Sequence, residues 1–120
     1  MRVTIRLYKR HDLDLLSLYC ADNTKFKEEF KTTLKGYINK KQIKNQIPQI
    51  ESGSVYSMPT KVSFHMILKD EDNELKDWIK NITRGRRNNI MKNIYRNSFP
   101  PIITPYLSES KLNKFNLKEN

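Results

Sequence analysis

Two sets of three side chains sit at every second position: Arg2, Thr4 and Arg6 in one segment, and Lys61, Ser63 and His65 in another. On an extended chain such alternation puts each set on one side of the backbone. All six can donate hydrogen bonds, the hydroxyls and the imidazole can also accept, and none is a carboxylate. A row of that kind suits non-covalent reading of a surface that displays acceptors and donors. A second group of residues falls where helices are expected to begin: Asn23, Thr24 and Lys25, then Arg84, Gly85, Arg86, Arg87 and Asn88. The unpaired N–H groups and positive dipole end of a helix start favour an anionic oxygen. Glycine there permits close backbone approach, and the arginines add charge.

Residues of bond-making chemistry are sparse. His11 and His65 are the only histidines and Cys20 the only cysteine. Asp70, Glu71 and Asp72 cluster at a helix start, where carboxylates serve as caps more often than as catalysts. No glycine-rich phosphate loop follows a strand, and no Cys/His set has metal-ligand spacing. Neither an enzyme nor a cofactor or metal is expected. With one cysteine no internal disulfide can form, which fits a reducing cytoplasm.

The elements that must position these residues follow from periodicity. Residues 2–8 alternate as a half-buried strand, with Val3, Ile5 and Leu7 inward and Arg2, Thr4, Arg6 and Tyr8 outward. A turn at Lys9-Arg10-His11 leads to a helix over about 13–19, with Asp12 as its N-cap and Leu15, Leu18 and Tyr19 at helical spacing. Ala21-Asp22-Asn23 breaks it. A second helix over 25–39, capped by Asn23 or Thr24, shows an apolar stripe of Phe26, Phe30, Leu34, Tyr37 and Ile38, with Lys and Glu as its solvated face. Residues 40–60, with Pro48, Gly53 and Pro59, read as a linker. Its Ile43, Ile47, Ile50, Val55 and Tyr56 suit either lying across the first unit or adding a short strand. Then the order recurs: a strand at 61–68, a helix at 72–81 carrying Leu75, Trp78, Ile79 and Ile82, a break at Thr83-Arg84-Gly85, and a helix at 86–97 carrying Ile90, Met91, Ile94 and Tyr95. Pro100-Pro101 ends it.

The two halves overlay. Val3, Ile5 and Leu7 fall on Val62, Phe64 and Met66; Leu15, Leu18 and Tyr19 fall on Leu75, Trp78 and Ile79; Phe30 and Leu34 fall on Ile90 and Ile94, with one residue inserted in the turn. The chain therefore reads as a duplicated strand–helix–helix unit, with repeats at 1–39 and 61–99. Residues 100–120 have no place in the repeat. Leu107, Leu112, Phe115 and Leu117 give them a narrow apolar edge, too small to hold a helix alone, that would order on a partner.

Charge agrees with the repeat. Of 23 Lys/Arg and 13 Asp/Glu, residues 1–60 hold 11 and 6 and residues 61–120 hold 12 and 7, so each half carries half of the net +10. A folded chain this basic suggests a polyanion partner. No run approaches the length that spans a membrane, and the strand-like, Arg-bearing start does not read as a signal peptide.

A lone strand cannot satisfy its backbone groups, and two such strands pairing antiparallel can. The expected fold is mainly α with a two-stranded antiparallel β-ribbon: a duplicated ribbon–helix–helix in one chain. A two-stranded ribbon fits the major groove of B-DNA, where outward side chains meet base edges. On that reading Arg2, Thr4, Arg6, Lys61, Ser63 and His65 contact bases, with Arg6 the best candidate for a bidentate guanine contact. The two helix starts contact phosphate. Because the copies differ, the ribbon suits a non-palindromic site.

The segment Val62-Ser63-Phe64-His65, followed by Asp77-Trp78-Ile79-Lys80-Asn81-Ile82-Thr83-Arg84-Gly85-Arg86-Arg87-Asn88-Asn89-Ile90, resembles the ribbon–helix–helix part of ParR-type plasmid partition adaptors. The run Arg6-Leu7-Tyr8-Lys9-Arg10-His11-Asp12-Leu13-Asp14-Leu15 is similar to small Firmicute plasmid proteins often encoded beside an actin-like segregation ATPase. The resemblance covers residues 2–38 and 61–97. It implies an adaptor that binds repeated centromere-like double-stranded DNA, self-associates on the repeats, and presents its C-terminal segment, with Leu107, Leu112, Phe115 and Leu117, to an actin-like filament. Such adaptors often repress their own operon. This chain departs from the type in carrying two copies. Two other readings use the same residues: a transcriptional repressor or antitoxin with the same DNA-binding head, and an interaction module whose basic face meets RNA or an acidic protein.

Overall fold

The computed structural model describes residues 1–47 and 58–100. Strand β1 (Arg2–Tyr8) is followed by helices α1 (Leu13–Ala21) and α2 (Asn23–Ile38); strand β2 (Lys61–Ile67) is followed by α3 (Asn73–Lys80) and α4 (Arg87–Asn97). Short 3-10 turns at Asp70–Asp72 and Arg84–Arg86 lead into α3 and α4. The molecule is thus mainly helical around one two-stranded antiparallel sheet, a layout compatible with a ribbon–helix–helix arrangement. Part of the linker (residues 48–57) and the segment bearing Leu107, Leu112, Phe115 and Leu117 lie outside the described residues.

The ribbon pairs Arg2 with Ile67, Thr4 with His65, Arg6 with Ser63 and Tyr8 with Lys61, with Ile5 opposite Phe64 at its centre. Hydrogen bonds beyond the strands extend both ends alike: Lys9 N–H donates to Thr60 O (2.9 Å), and Leu68 N–H donates to Met1 O (2.8 Å). A half-turn about the Ile5–Phe64 pair exchanges these two bonds, because Lys9 and Leu68, like Met1 and Thr60, are separated by the same interval as Ile5 and Phe64. The inner face of the ribbon, from Val3, Ile5, Leu7, Phe64 and Met66, is buried under the helices. Fully burying a side chain of this size contributes about 1.5–3 kcal/mol, so the inner face dictates the register. A slip of one residue would put every one of these groups in water.

Under the ribbon, Phe26, Phe30, Phe64 and Tyr95 form an aromatic cluster. The Phe26 and Tyr95 rings lie 5.0 Å apart, and Phe30 meets Phe64 edge-on at 5.6 Å. Tyr95 directs its hydroxyl to Glu29 Oε2 at 3.1 Å. On α4 it is Met91 and Tyr95 that are fully buried, whereas Ile90 and Ile94 are only half-buried. The match to Phe30 and Leu34 is therefore Met91 and Tyr95, one residue further along than Ile90 and Ile94. The fourth helix is rotated by a residue relative to the sequence expectation, because the large aromatic ring takes the central position.

The same one-residue correction exposes a second pattern. Lys31 and Lys35, one turn apart on α2, both reach Asp72 ahead of α3, with Lys31 Nζ at 2.8 Å. Lys92 and Arg96, one turn apart on α4, both reach Asp12 ahead of α1, at 2.9 and 3.2 Å. Each pair of cations thus holds the first-helix start of the other unit. Lys31 and Lys35 are not part of a purely solvated face, as the spacing suggests. They are drawn inward because each aspartate is buried and its charge must be compensated. Asp12 occupies the N-cap position of α1 but makes no cap bond there; its Oδ2 instead accepts from Tyr8 N–H at 3.0 Å. Asp72 does the same for Lys69 N–H at 2.9 Å. For Asp72, hydrogen bonds from Lys31 and Lys35, then from the Lys69 N–H, hold the carboxyl well below its ordinary range. For Asp12, burial pushes the carboxyl up, but Lys92, the Tyr8 N–H and the nearby Arg96 charge outweigh it and the net shift is down.

The stretch after α2 packs back onto the bundle. Helix α2 ends in a left-handed residue, Lys40 (φ 58°), with Lys40 N–H donating to Tyr37 O and Lys41 N–H to Gly36 O. Asn45 then bridges the helices, donating to Thr33 Oγ1 and Ser98 Oγ, both at 2.8 Å. Gly36 makes room for this: a Cβ there would lie 2.3 Å from Ile43 Cγ1.

Candidate nucleic-acid interface

The outer face of the ribbon presents four rungs. At one end Arg2 stands opposite Ile67, then Thr4 opposite His65, Arg6 opposite Ser63, and Tyr8 opposite Lys61. All of these are exposed except the half-buried Thr4. All six residues expected to read bases therefore share one surface. Thr4 Oγ1 and His65 Nδ1 are 3.1 Å apart and form a cross-strand hydrogen bond, which leaves Nε2 as the imidazole's remaining polar atom. Among the described residues the Arg6 guanidinium has no side-chain hydrogen bond or ion pair. Lys61 Nζ lies 5.8 Å from the centre of the Tyr8 ring, and Lys92 Nζ lies 5.5 Å from it.

Ile67 joins the face although it was not among the expected contacts. It is 61 % exposed, unusual for so large an apolar side chain. Its parity with His65 was the available signal; its hydrophobicity pointed the other way.

The open edge of β1 is occupied along its middle, and that of β2 at its end. Along β1, the Asn88 side chain accepts from Arg6 N–H (2.7 Å) and donates to Thr4 O (3.0 Å), as a neighbouring strand would. Lys92 Nζ donates to Arg6 O at 3.1 Å. Along β2, Lys31 Nζ donates to Ile67 O at 3.2 Å. On the β1 side these groups stand where a third strand would pair.

The expected phosphate residues divide. Asn88 is committed to the β1 edge, because an unpaired strand edge beside a helix start must be satisfied. Arg87 folds back, its Nε donating to Ile82 O (3.1 Å) and its Nη2 to Lys80 O (3.5 Å), where it caps the carbonyl end of α3. Arg84, Gly85 and Arg86 remain exposed at the start of α4, whose N-cap position makes no side-chain cap bond. Asn88 sets that start beside β1. At Gly85 an added Cβ would meet nothing within 4 Å, so packing does not require the glycine.

At α2 the N-cap is Asp22, not Asn23 or Thr24: its Oδ1 accepts from Lys25 N–H at 3.1 Å. A carboxylate already fills that helix end, which disfavours a phosphate. Asn23 accepts from the Thr24 hydroxyl at 3.3 Å, and all three residues Asn23, Thr24 and Lys25 are exposed. The two helix starts are therefore unequal.

Among the described residues no three His, Cys, Asp or Glu side chains group as metal ligands, and no helix is long and apolar enough to cross a membrane. Cys20 is exposed. No family model, curated protein or solved structure matches the chain.

Proposed function

We propose that the chain is a double-stranded-DNA-binding protein whose β1–β2 ribbon enters the major groove and reads base edges. The observation that carries this reading is the outer face itself. Hydrogen-bonding and cationic side chains alternate outward on both strands of a ribbon whose other face is buried. The groove admits a two-stranded ribbon and displays acceptor pairs that an arginine can bind with two hydrogen bonds. Arg6 is the principal base-reading residue. Arg84, Gly85 and Arg86 anchor phosphate at the start of α4, and the net charge of +10 supplies long-range attraction.

The two strand–helix–helix units are, on this reading, copies of one ancestral unit that pair within the chain. The crossed lysine–aspartate pairs and the matching hydrogen bonds at the ribbon ends support it. The resemblance to ParR-type adaptors gives the DNA binder its proposed biological setting: partition of a plasmid in the cytoplasm, with the C-terminal segment meeting an actin-like filament. A repressor or antitoxin would use the same head.

Fluorescence-anisotropy titration tests the proposal. The duplex from immediately upstream of the gene is compared with a scrambled duplex of equal length, at two salt concentrations. Preference for the upstream duplex that persists at higher salt, and is lost in Arg6→Ala with folding intact, is the expected result. Equal binding that vanishes with salt would mean that charge alone holds the DNA.

A further inference from the structure

The half-turn about Ile5–Phe64 pairs the outward residues of the two strands: Arg2 with Lys61, Thr4 with Ser63, Arg6 with His65, and Tyr8 with Ile67. The first two pairs preserve chemistry, a cation for a cation and a hydroxyl for a hydroxyl. The last two do not. Because the strands are antiparallel, these differences sort to opposite ends of the ribbon. One end carries Arg6, Ser63, Tyr8 and Lys61. The other carries His65, Thr4, Ile67 and Arg2.

The two ends can make different contacts. Arg6 offers a planar fork that matches guanine O6 and N7. Its mate His65 has Nδ1 engaged with Thr4 Oγ1 and offers one ring nitrogen, which cannot reproduce a two-bond contact. Beside it Ile67 presents an exposed apolar surface where the other end has the Tyr8 ring under Lys61. An apolar side chain in the major groove favours the thymine methyl.

We infer that the ribbon reads a DNA site with direction: a G·C pair facing Arg6 in one half, no counterpart to it at the related position facing His65, and an A·T pair facing Ile67. The Arg6/His65 pair is the main determinant of this polarity. The inference rests on the proposed DNA reading and specifies what that reading selects.

The test is repeated binding and selection from a library of random-sequence duplexes, performed with the full chain and with His65→Arg, both checked for folding by thermal melting. The wild-type chain should enrich an incomplete inverted repeat, with the G·C pair in one half favoured roughly tenfold or more over other pairs. His65→Arg should bring a matching G·C pair into the other half and make the selected site symmetric. A symmetric wild-type site, or an unchanged site in His65→Arg, would overturn the inference and leave DNA reading in place. No enrichment over the starting library by either protein would overturn the DNA reading itself.

Discussion

Lys92 Nζ lies 2.9 Å from Asp12 Oδ2, with both side chains about 5 % exposed, and it also donates to the backbone oxygen of Arg6. One ammonium therefore joins the last helix to the start of the first helix and to the strand that carries Arg6, the residue proposed to read bases. Removing it leaves a buried carboxylate with only Arg96 beside it. Lys92→Met should destabilise the protein by about 3 kcal/mol, the lower range for breaking a buried pair, as read by denaturant unfolding. Lys31→Met should cost less, because Lys31 is the more exposed lysine. Equal losses would mean that the two crossings are energetically alike in spite of their different burial.

The same aspartates set an acid limit. Both carboxyls are held below their ordinary values in the folded state, so the unfolded chain binds more protons as pH falls. Their contribution is complete above the unfolded carboxylate range, near pH ~4, and is lost progressively as pH drops below it towards the folded values. The melting temperature should be flat from neutral pH to about 5 and then fall. Asp72→Asn should reduce that slope while lowering stability at pH 7. An opposite limit comes from Tyr95, whose hydroxyl is pushed up by burial and by the Glu29 carboxylate. Its contribution is present below the ordinary tyrosine range and is lost as pH rises beyond it.

Asn88 separates support from contact. Its amide completes the β1 edge with two hydrogen bonds, so Asn88→Ala should cost about 1–2 kcal/mol of stability. DNA affinity per folded molecule should stay within about twofold, since no charge or phosphate contact is removed. A large affinity loss with unchanged melting would return Asn88 to the phosphate set.

Gly85 gives the converse case. Space around it is open, so Gly85→Ala should leave the melting temperature unchanged. If a phosphate oxygen approaches this backbone, the added methyl should weaken DNA binding by about fivefold. Unchanged affinity would remove Gly85 from the interface while leaving Arg84 and Arg86 to be tested.

Lys40 adopts a left-handed conformation at the end of α2 that glycine adopts at no steric cost. Lys40→Gly should stabilise the fold by about 0.5–1 kcal/mol. Chemical denaturation would show this as a higher midpoint with the same slope.

Strand periodicity was the clearest part of the sequence. Two-residue alternation placed Arg2, Thr4, Arg6, Lys61, Ser63 and His65 on one exposed face, because a buried inner face tolerates only one register. Helical faces were less legible. Ile90 and Ile94 are as apolar as Met91 and Tyr95, and only packing against Phe26 and Phe30 decides which pair turns inward. Polar side chains with structural duties are hard to tell in sequence from functional or solvated ones. Asn88, Lys31 and Lys35 each spend their polar groups on partners far away in sequence, and nothing local to them announces it, whereas Arg87 turns back on the end of the preceding helix. Asp22, the true cap of α2, is masked in sequence by Asn23 and Thr24, two equally good cap formers that follow it directly.

The pairing of Arg2 with Ile67 also has a kinetic consequence. During synthesis β1 leaves the ribosome some sixty residues ahead of β2, a delay of several seconds at ~5–20 residues per second. Throughout that interval Val3, Ile5 and Leu7 have no strand partner, and Asp12 has neither of its cations, since Lys92 and Arg96 come later still. The strand of the first unit must wait for that of the second, so the nascent chain carries an unpaired apolar strand through that interval. A ribosome stall within the linker would leave that strand free to pair with the same segment of a neighbouring nascent chain.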